Sequence, residues 1–103
     1  MLMRNEDEIL EAIRAEVEGR QAFLEGDLTM LGIAKRLDVS RSYVSRVLGE
    51  RLGGFYFYVG RCRAEYVEAW RREHPQATLG EALKAAGFRS RSTYYEVLRR
   101  MGR

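Results

Sequence analysis

The stretch SRSYVSRVL at residues 40–48 has a close counterpart in SRSTYYEVL at residues 90–98. Both stretches begin with Ser-Arg-Ser and end with Val-Leu at the same spacing. Serine is a preferred residue just before a helix, because its hydroxyl accepts a hydrogen bond from an unpaired N–H of the first turn. Each stretch therefore predicts a helix that buries its Val and Leu and exposes its Ser and Arg side chains.

A shorter helix is predicted before each of these stretches. The first begins at Thr29 and breaks at Asp38, whereas the second begins with a capping box of Thr78 and Glu81 and breaks at Gly87. The two threonines are forty-nine residues apart and the two Ser-Arg-Ser stretches fifty, so the second turn is one residue longer. The chain thus predicts two copies of a helix, a tight turn and a second helix, a repeat typical of DNA-binding proteins.

Two further helices complete the expected architecture. A long helix over residues 55–74 ends before Pro75, and an amphipathic helix near the N-terminus begins at Asn5 and fades near Gly19 or Gly26. The predicted fold is all-α, with two helix-turn-helix lobes, built like the three-helix units of homeodomains, joined by a long linker helix. The expected divisions are residues 1–27 (an acidic helix packing on the first lobe), 28–54 (first helix-turn-helix), 55–75 (linker helix) and 76–103 (second helix-turn-helix).

The composition excludes several classes of protein. The chain has 103 residues, a single proline and one cysteine, which cannot form an intramolecular disulfide and favours a reducing compartment. No apolar run approaches the roughly 20 residues of a membrane helix, so we expect a cytoplasmic chain without membrane contact. No spacing of His, Cys, Ser or carboxylates suggests catalysis or a metal site, so we expect no enzyme activity, no cofactor and no metal.

Charge is distributed unevenly along the chain. Residues 1–27 hold three Arg and eight acids, a net −5, and residues 28–103 hold fifteen basic residues and seven acids, a net +8. All basic residues except Lys35 and Lys84 are arginine, which forms two-pronged contacts with phosphate and guanine. A basic body behind an acidic leader indicates a polyanionic partner for the body.

These motifs, in this order, resemble the DNA-binding domain of the AraC/XylS family of bacterial transcription regulators, over nearly the whole chain. The first unit carries Leu28, Thr29, residues 33–37, Ser40, residues 43–46 and Gly53. The linker helix carries Tyr58, Arg61, Arg63 and Glu65, and the second unit carries Gly87, Phe88, residues 90–94 and Gly102. The resemblance implies sequence-specific binding of double-stranded DNA, with a recognition helix of each unit in one of two successive major grooves. It also implies a sensor domain as a partner lying outside this chain.

The sequence departs from the family pattern at three places. Ala82 and Leu83 stand where the family usually has Ile-Ala, which exchanges a small and a bulky side chain at a helix crossing. The loop after Gly53 is a residue short, and Gly60 lies inside a predicted helix, where glycine costs about 1 kcal/mol relative to alanine. Glu96 falls where the family commonly has arginine, which turns a carboxylate toward the DNA.

The candidate interface consists of exposed positions on the two recognition helices and of residues that flank them. The residues expected to read bases are Ser42, Ser45 and Arg46 in the first unit and Arg91, Ser92, Tyr95 and Glu96 in the second. The residues expected to contact phosphates are Thr29, Arg41, Thr78, Arg89, Arg99 and Arg100. Arg46 is the strongest candidate for a guanine contact, and Tyr95 for a thymine methyl group.

Other conspicuous side chains have plainer expected roles. Tyr56 and Phe57 are expected to pack between the lobes, Cys62 to be an inert buried thiol, and His74 to cap a helix end or to lie exposed. The two units differ in sequence, so we expect an asymmetric site that a single, monomeric chain can occupy. The alternative is a protein-interaction adaptor that keeps this fold but no longer binds DNA, because Glu96 and the acidic leader oppose phosphate.

Overall fold

The computed structural model describes residues 5–103, so the first four residues of the predicted segment 1–27 lie outside the described part. Within the described range there are six α-helices and no strand, which confirms the all-α class. The helices are α1 (Glu6–Arg14), α2 (Met30–Leu37), α3 (Arg41–Leu52), α4 (Phe55–Glu73), α5 (Leu79–Ala85) and α6 (Arg91–Arg100). None of the helices in residues 5–103 combines the length and apolar character that a membrane crossing demands.

Side-chain caps fix where five of these helices begin. In each case the capping oxygen accepts a hydrogen bond from the backbone N–H three residues on, at 2.8 to 3.2 Å. The five capping residues are Asn5, Thr29, Ser40, Thr78 and Ser90. Glu81 also accepts a hydrogen bond from the Thr78 N–H, which completes the predicted capping box. Such caps typically contribute about 1 kcal/mol each, and all five were predicted from the sequence.

The ends of α1 and α4 follow the predicted breaks closely. A π-helical turn at Ala15–Gly19 extends α1, and a 3₁₀ turn at Ala22–Leu24 follows it after Gln21, whose φ of 60° is left-handed. The N-terminal helix therefore stops at the first of the two glycines named as its end. The helix α4 ends one residue before the predicted His74, whose ring stacks on Trp70 with 4.0 Å between ring centroids.

Two hydrophobic clusters lie along α4. The first joins α1, the 3₁₀ turn, α2 and α3 to the first half of α4, where Tyr58 and Val59 are buried. The second joins α5 and α6 to the second half of α4, where Ala64 and Val67 are buried. Because α4 supplies buried residues to both clusters, it holds the pair α2–α3 and the pair α5–α6 on one rod.

The glycine inside α4 permits the closest contact between α4 and α6. A Cβ built on Gly60 would lie 2.5 Å from a methyl carbon of Val97, which is only 5% exposed. Valine has one strongly preferred χ1 rotamer in a helix, so its methyl group cannot easily turn away. Gly60, which reads as a weak point of the helix in the sequence, is thus the residue that lets the two helices cross.

We expect Gly60→Ala to lower the free energy of unfolding by about 1 to 3 kcal/mol, because overpacking at Val97 outweighs the gain in helix propensity. Gly49 in α3 is the matched control, because it is exposed and a Cβ there meets nothing within 4 Å. Gly49→Ala should raise the unfolding free energy by up to about 1 kcal/mol. Urea unfolding followed by circular dichroism measures both, and equal stabilisation by the two substitutions would contradict the proposed contact.

Candidate nucleic-acid interface

All thirteen residues predicted for the interface are exposed, and none of them belongs to either hydrophobic cluster. On α3 and at its start these are Arg41, Ser42, Ser45 and Arg46, and on α6 they are Arg91, Ser92, Tyr95, Glu96, Arg99 and Arg100. Thr29 and Thr78 cap α2 and α5, and Arg89 lies in the turn before α6. Each Ser-Arg-Ser stretch thus presents its polar side chains to solvent while Val and Leu of the same helix face inward.

Arg46 lies on the exposed side of α3, where it contacts an aromatic ring. Its guanidinium carbon lies 4.9 Å from the centroid of the Tyr43 ring, one helical turn earlier. A cation above an aromatic ring is attracted by the ring face, and this contact does not use up the N–H donors of the guanidinium. The hydroxyl groups of Ser42 and Ser45 lie on the same exposed helix. This combination of a two-pronged donor and two small hydroxyl groups suits contacts with base edges.

The exposed side of α6 differs in chemistry. Tyr95 is 46% exposed, and its ring packs against the ring of Tyr94 with 5.3 Å between the two centroids. Glu96 accepts a hydrogen bond from Arg99 at 2.6 Å, so the carboxylate that departs from the family pattern is paired within its own helix. Both partners are exposed, and a pair of this kind contributes little to stability. Its effect is instead to offset the positive charge of Arg99.

Arg100 ties the end of α6 to the turn between α3 and α4. Its guanidinium lies 4.6 Å from the centroid of the Phe57 ring, and one nitrogen donates to the Gly53 carbonyl at 3.5 Å. The residue is still exposed and forms no ion pair with a carboxylate in residues 5–103. Arg100 therefore joins the two helix pairs and keeps its charge uncompensated.

Carboxylates of the N-terminal segment pair with arginines outside the candidate set. Arg36 contacts Glu25 at 2.5 Å and Glu16 at 3.3 Å, and the hydrogen bond that Arg36 donates to Glu25 is the main cause of its raised pKa. Arg51 contacts Asp7 at 3.0 Å and also approaches Glu6. Glu6, Asp7, Glu16 and Glu25 are thus paired with Arg36 or Arg51 rather than with the candidate arginines.

Most of the candidate arginines lack such a partner. Across residues 5–103, ion pairs reach only one of the six, Arg99. The five without a carboxylate partner in that range are Arg41, Arg46, Arg89, Arg91 and Arg100. An exposed arginine without a carboxylate keeps its full charge for an anion, although Arg100 already donates one hydrogen bond to the Gly53 carbonyl. Five exposed arginines on and beside α3 and α6 thus have no carboxylate partner in residues 5–103, a property that Arg14, Arg61, Arg63, Arg71 and Arg72 share elsewhere in the fold.

Tyr56 is exposed, which differs from the prediction made from the sequence. It was expected to pack between the lobes, but its side chain is 83% exposed, the most of any large hydrophobic residue in the described chain. Its neighbour Phe57 is partly buried against Arg100, as the expectation for that residue required. Four aromatic residues in succession leave open which ones face solvent, so the sequence offered no sharper signal.

Potentially reactive groups elsewhere are held in unreactive states. Tyr58 is fully buried, and its hydroxyl donates to Glu18 at 2.5 Å; burial is the main cause of its raised pKa. Cys62, which was expected to be buried, is only partly buried; this burial still raises its pKa to about 11, with smaller contributions from the carboxylates of Glu18 and Glu65. No group of three or more His, Cys, Asp or Glu side chains within residues 5–103 is arranged to hold a metal ion.

Comparison of the chain with models of protein families, with curated proteins and with solved structures finds no match. The likeness to AraC/XylS domains therefore rests on the sequence motifs, and the function has to be inferred from those motifs and the surface just described.

Cys62 should react slowly with iodoacetamide at pH 8. Its pKa of about 11 lies two units above the ordinary value of 9.0, so the reactive thiolate is roughly a hundredfold scarcer than in the unfolded chain. The same protein in concentrated urea is the control, and Cys62 is the only thiol that can be labelled. Mass spectrometry at timed intervals measures both rates, and equal rates would show that the thiol is not protected.

Proposed function

We propose that this chain is a sequence-specific DNA-binding domain of the AraC/XylS type, acting in transcription regulation. In this proposal α3 and α6 enter successive major grooves on one face of a duplex. The observation that carries it is that five exposed arginines without a carboxylate partner in residues 5–103 lie on and beside the two helices that share the Ser-Arg-Ser stretch. A polyanion with two equivalent grooves matches two similar helices that carry unpaired cations.

The geometry of each helix pair supports this proposal. A left-handed residue ends each short helix or its following turn, with φ of 56° at Asp38 and 90° at Gly87. The next helix then begins at a capping serine in both pairs. Successive major grooves on one face of B-DNA lie about 34 Å apart, and the Cα positions extend over 49 Å. The longest dimension of the molecule thus exceeds the spacing between the two grooves.

The chemistry of the two helices predicts an asymmetric site. Arg46 on α3 has the geometry to donate two hydrogen bonds to guanine, and Ser42 and Ser45 can bond to several bases. On α6, Tyr95 offers an aromatic edge to a thymine methyl group, and Glu96, which already accepts from Arg99, has further acceptor capacity for cytosine. Both helices thus offer hydrogen-bonding side chains, because Arg91 and Ser92 also lie on α6, and the second helix adds the apolar contact of Tyr95.

Phosphate contacts are assigned to residues beside the recognition helices. Arg41 and Arg89 lie at the starts of α3 and α6, and Thr29 and Thr78 mark the starts of α2 and α5. Arg89 also lies close enough to Arg63 for its charge to lower the Arg63 pKa, second to burial as a cause. A phosphate at Arg89 would relieve this repulsion between two cations.

Binding of a random-sequence duplex of about 25 base pairs should be strong at low salt and fall steeply as salt rises. Each phosphate neutralised by the protein contributes about −0.9 to the slope of log affinity against log salt. Fluorescence anisotropy between 20 and roughly 300 mM salt measures the slope. The adaptor alternative predicts no duplex affinity even at the lowest salt, and that result would remove the proposed function. Selection of bound duplexes from a random pool then identifies the preferred site.

Arg46→Ala should weaken binding to the selected site by about 1 to 3 kcal/mol and relax the preference at one base pair. Arg46→Lys should keep the salt slope but lose most of that preference, because a lysine cannot form the two-pronged contact. Anisotropy on single-base variants of the site measures both effects.

Arg89→Ala is the matched control for Arg46, because it removes one exposed, unpaired cation outside the recognition helices. This substitution should weaken binding to all duplexes alike. It should also reduce the slope of log affinity against log salt by about one. Arg99→Ala should also act on all sequences alike, but it leaves Glu96 without its partner and is therefore less clean. A base preference that is unaltered in Arg46→Ala would contradict the assignment of Arg46 to a base.

A further inference from the structure

An apolar groove with one cation lies beside the start of α4. Its lining residues are Leu28, Thr29, Met30, Leu31, Arg41, Phe55 and Tyr56, and its volume is about 250 Å³. Two of the three large hydrophobic side chains that are exposed in the described chain, Tyr56 and Leu31, belong to it, at 83% and 47% exposure. We call this set of residues the central groove.

The central groove reaches the start of α3 and adjoins a second groove that reaches α6. Arg41, the first residue of α3, lines it on one side. Tyr56 also lines an adjoining groove of about 190 Å³, together with Thr93, Glu96 and Arg100 of α6. Tyr56 therefore lies between the start of α3 and a side of α6. A duplex that met both helices would pass over this tyrosine with the segment that separates the two major grooves.

The central groove carries a positive charge, which favours an anionic occupant. No carboxylate lines it, and Arg41 forms no ion pair with any carboxylate of residues 5–103. An occupant therefore has to satisfy one cation and to cover an aromatic ring and a leucine. A sugar–phosphate strand meets both demands, because each nucleotide carries an anionic phosphate beside the largely apolar face of a deoxyribose.

We propose that the central groove binds the sugar–phosphate backbone of the DNA segment between the two major grooves. In this proposal Tyr56 packs on a deoxyribose and its hydroxyl donates to a phosphate, while Arg41 pairs with a neighbouring phosphate. The contact reaches no base edge, so it adds affinity and fixes register without adding base preference. The inference rests on the proposed function and adds to it a third contact, made by Tyr56 of α4 together with Arg41 at the start of α3.

The test uses the full chain and the duplex selected from the random pool. Tyr56→Ala should weaken binding about five- to tenfold, equally on the selected site and on its single-base variants. Tyr56→Phe should recover most of that loss, because the ring remains and only the hydroxyl is removed. The melting temperature should be unchanged in both variants, because the side chain is exposed. Arg72→Ala, an exposed position near the other end of α4, is the control expected to bind the selected site within about twofold of the wild type.

A duplex with neutral methylphosphonate linkages in its central segment identifies the contacted partner. The wild type should bind this duplex more weakly than the unmodified one, and Arg41→Ala should bind the two almost equally. Hydroxyl-radical cleavage should show central sugars that are protected by the wild type and exposed again with Tyr56→Ala.

Two results would overturn the inference. If the wild type binds DNA but Tyr56→Ala binds equally well, the central contact does not exist and the proposed function stands. If Tyr56→Ala weakens binding but the central sugars are never protected, Tyr56 does not contact the central DNA segment. The central groove would then be a site for a protein partner rather than for DNA. Failure of the wild type to bind any duplex would instead remove the proposed function and this inference together.

Discussion

The arrangement of the two helix pairs depends on how Arg63 of α4 holds the segment that follows α1. Its guanidinium donates to the Phe23 carbonyl at 2.6 Å and to the Glu25 carbonyl at 2.7 Å. These carbonyls belong to the 3₁₀ turn and the residue that ends it, which would otherwise leave acceptors unpaired beside a hydrophobic cluster. Gly87 meets the same turn from the other pair: a Cβ there would lie 2.8 Å from the Leu24 carbonyl oxygen, and its φ of 90° also requires glycine. One short turn thus contacts both the long helix and the second helix pair.

This turn gives the N-terminal segment a role beyond covering the first hydrophobic cluster. Its carboxylates compensate Arg36 and Arg51, and its backbone fixes α4 relative to the turn between α5 and α6. The candidate interface therefore keeps arginines without acidic partners although the leader carries a net negative charge. The close crossing at Gly60 and the stacking of Arg100 on Phe57 add a second connection, between α4 and α6. Relative placement of α3 and α6 is set by these contacts together, and DNA binding of the proposed kind requires that placement.

Much of the fold and of the candidate surface was predictable because the signals are local. The five caps, the breaks at Asp38 and Gly87 and the exposure of the Ser-Arg-Ser stretches follow from residues within one or two turns of each other. The pairing of Glu96 with Arg99 is equally local, at a spacing of three residues, and could have been predicted from their positions on one helix. Tyr56 shows the limit: among four successive aromatic residues, exposure depends on which neighbours approach α4 from elsewhere in the chain.

By itself the sequence determined the helical class, the starts of five helices, the two repeated pairs and the residues on their outward sides. Capping and apolar periodicity act over a few residues, so the order of amino acids specifies them directly. Only the tertiary structure decided that Gly60 is a crossing point, that Arg63 binds a turn forty residues earlier, and which arginines remain without a carboxylate partner in residues 5–103. Such contacts join residues that are distant along the chain, and their geometry depends on how whole helices pack against one another.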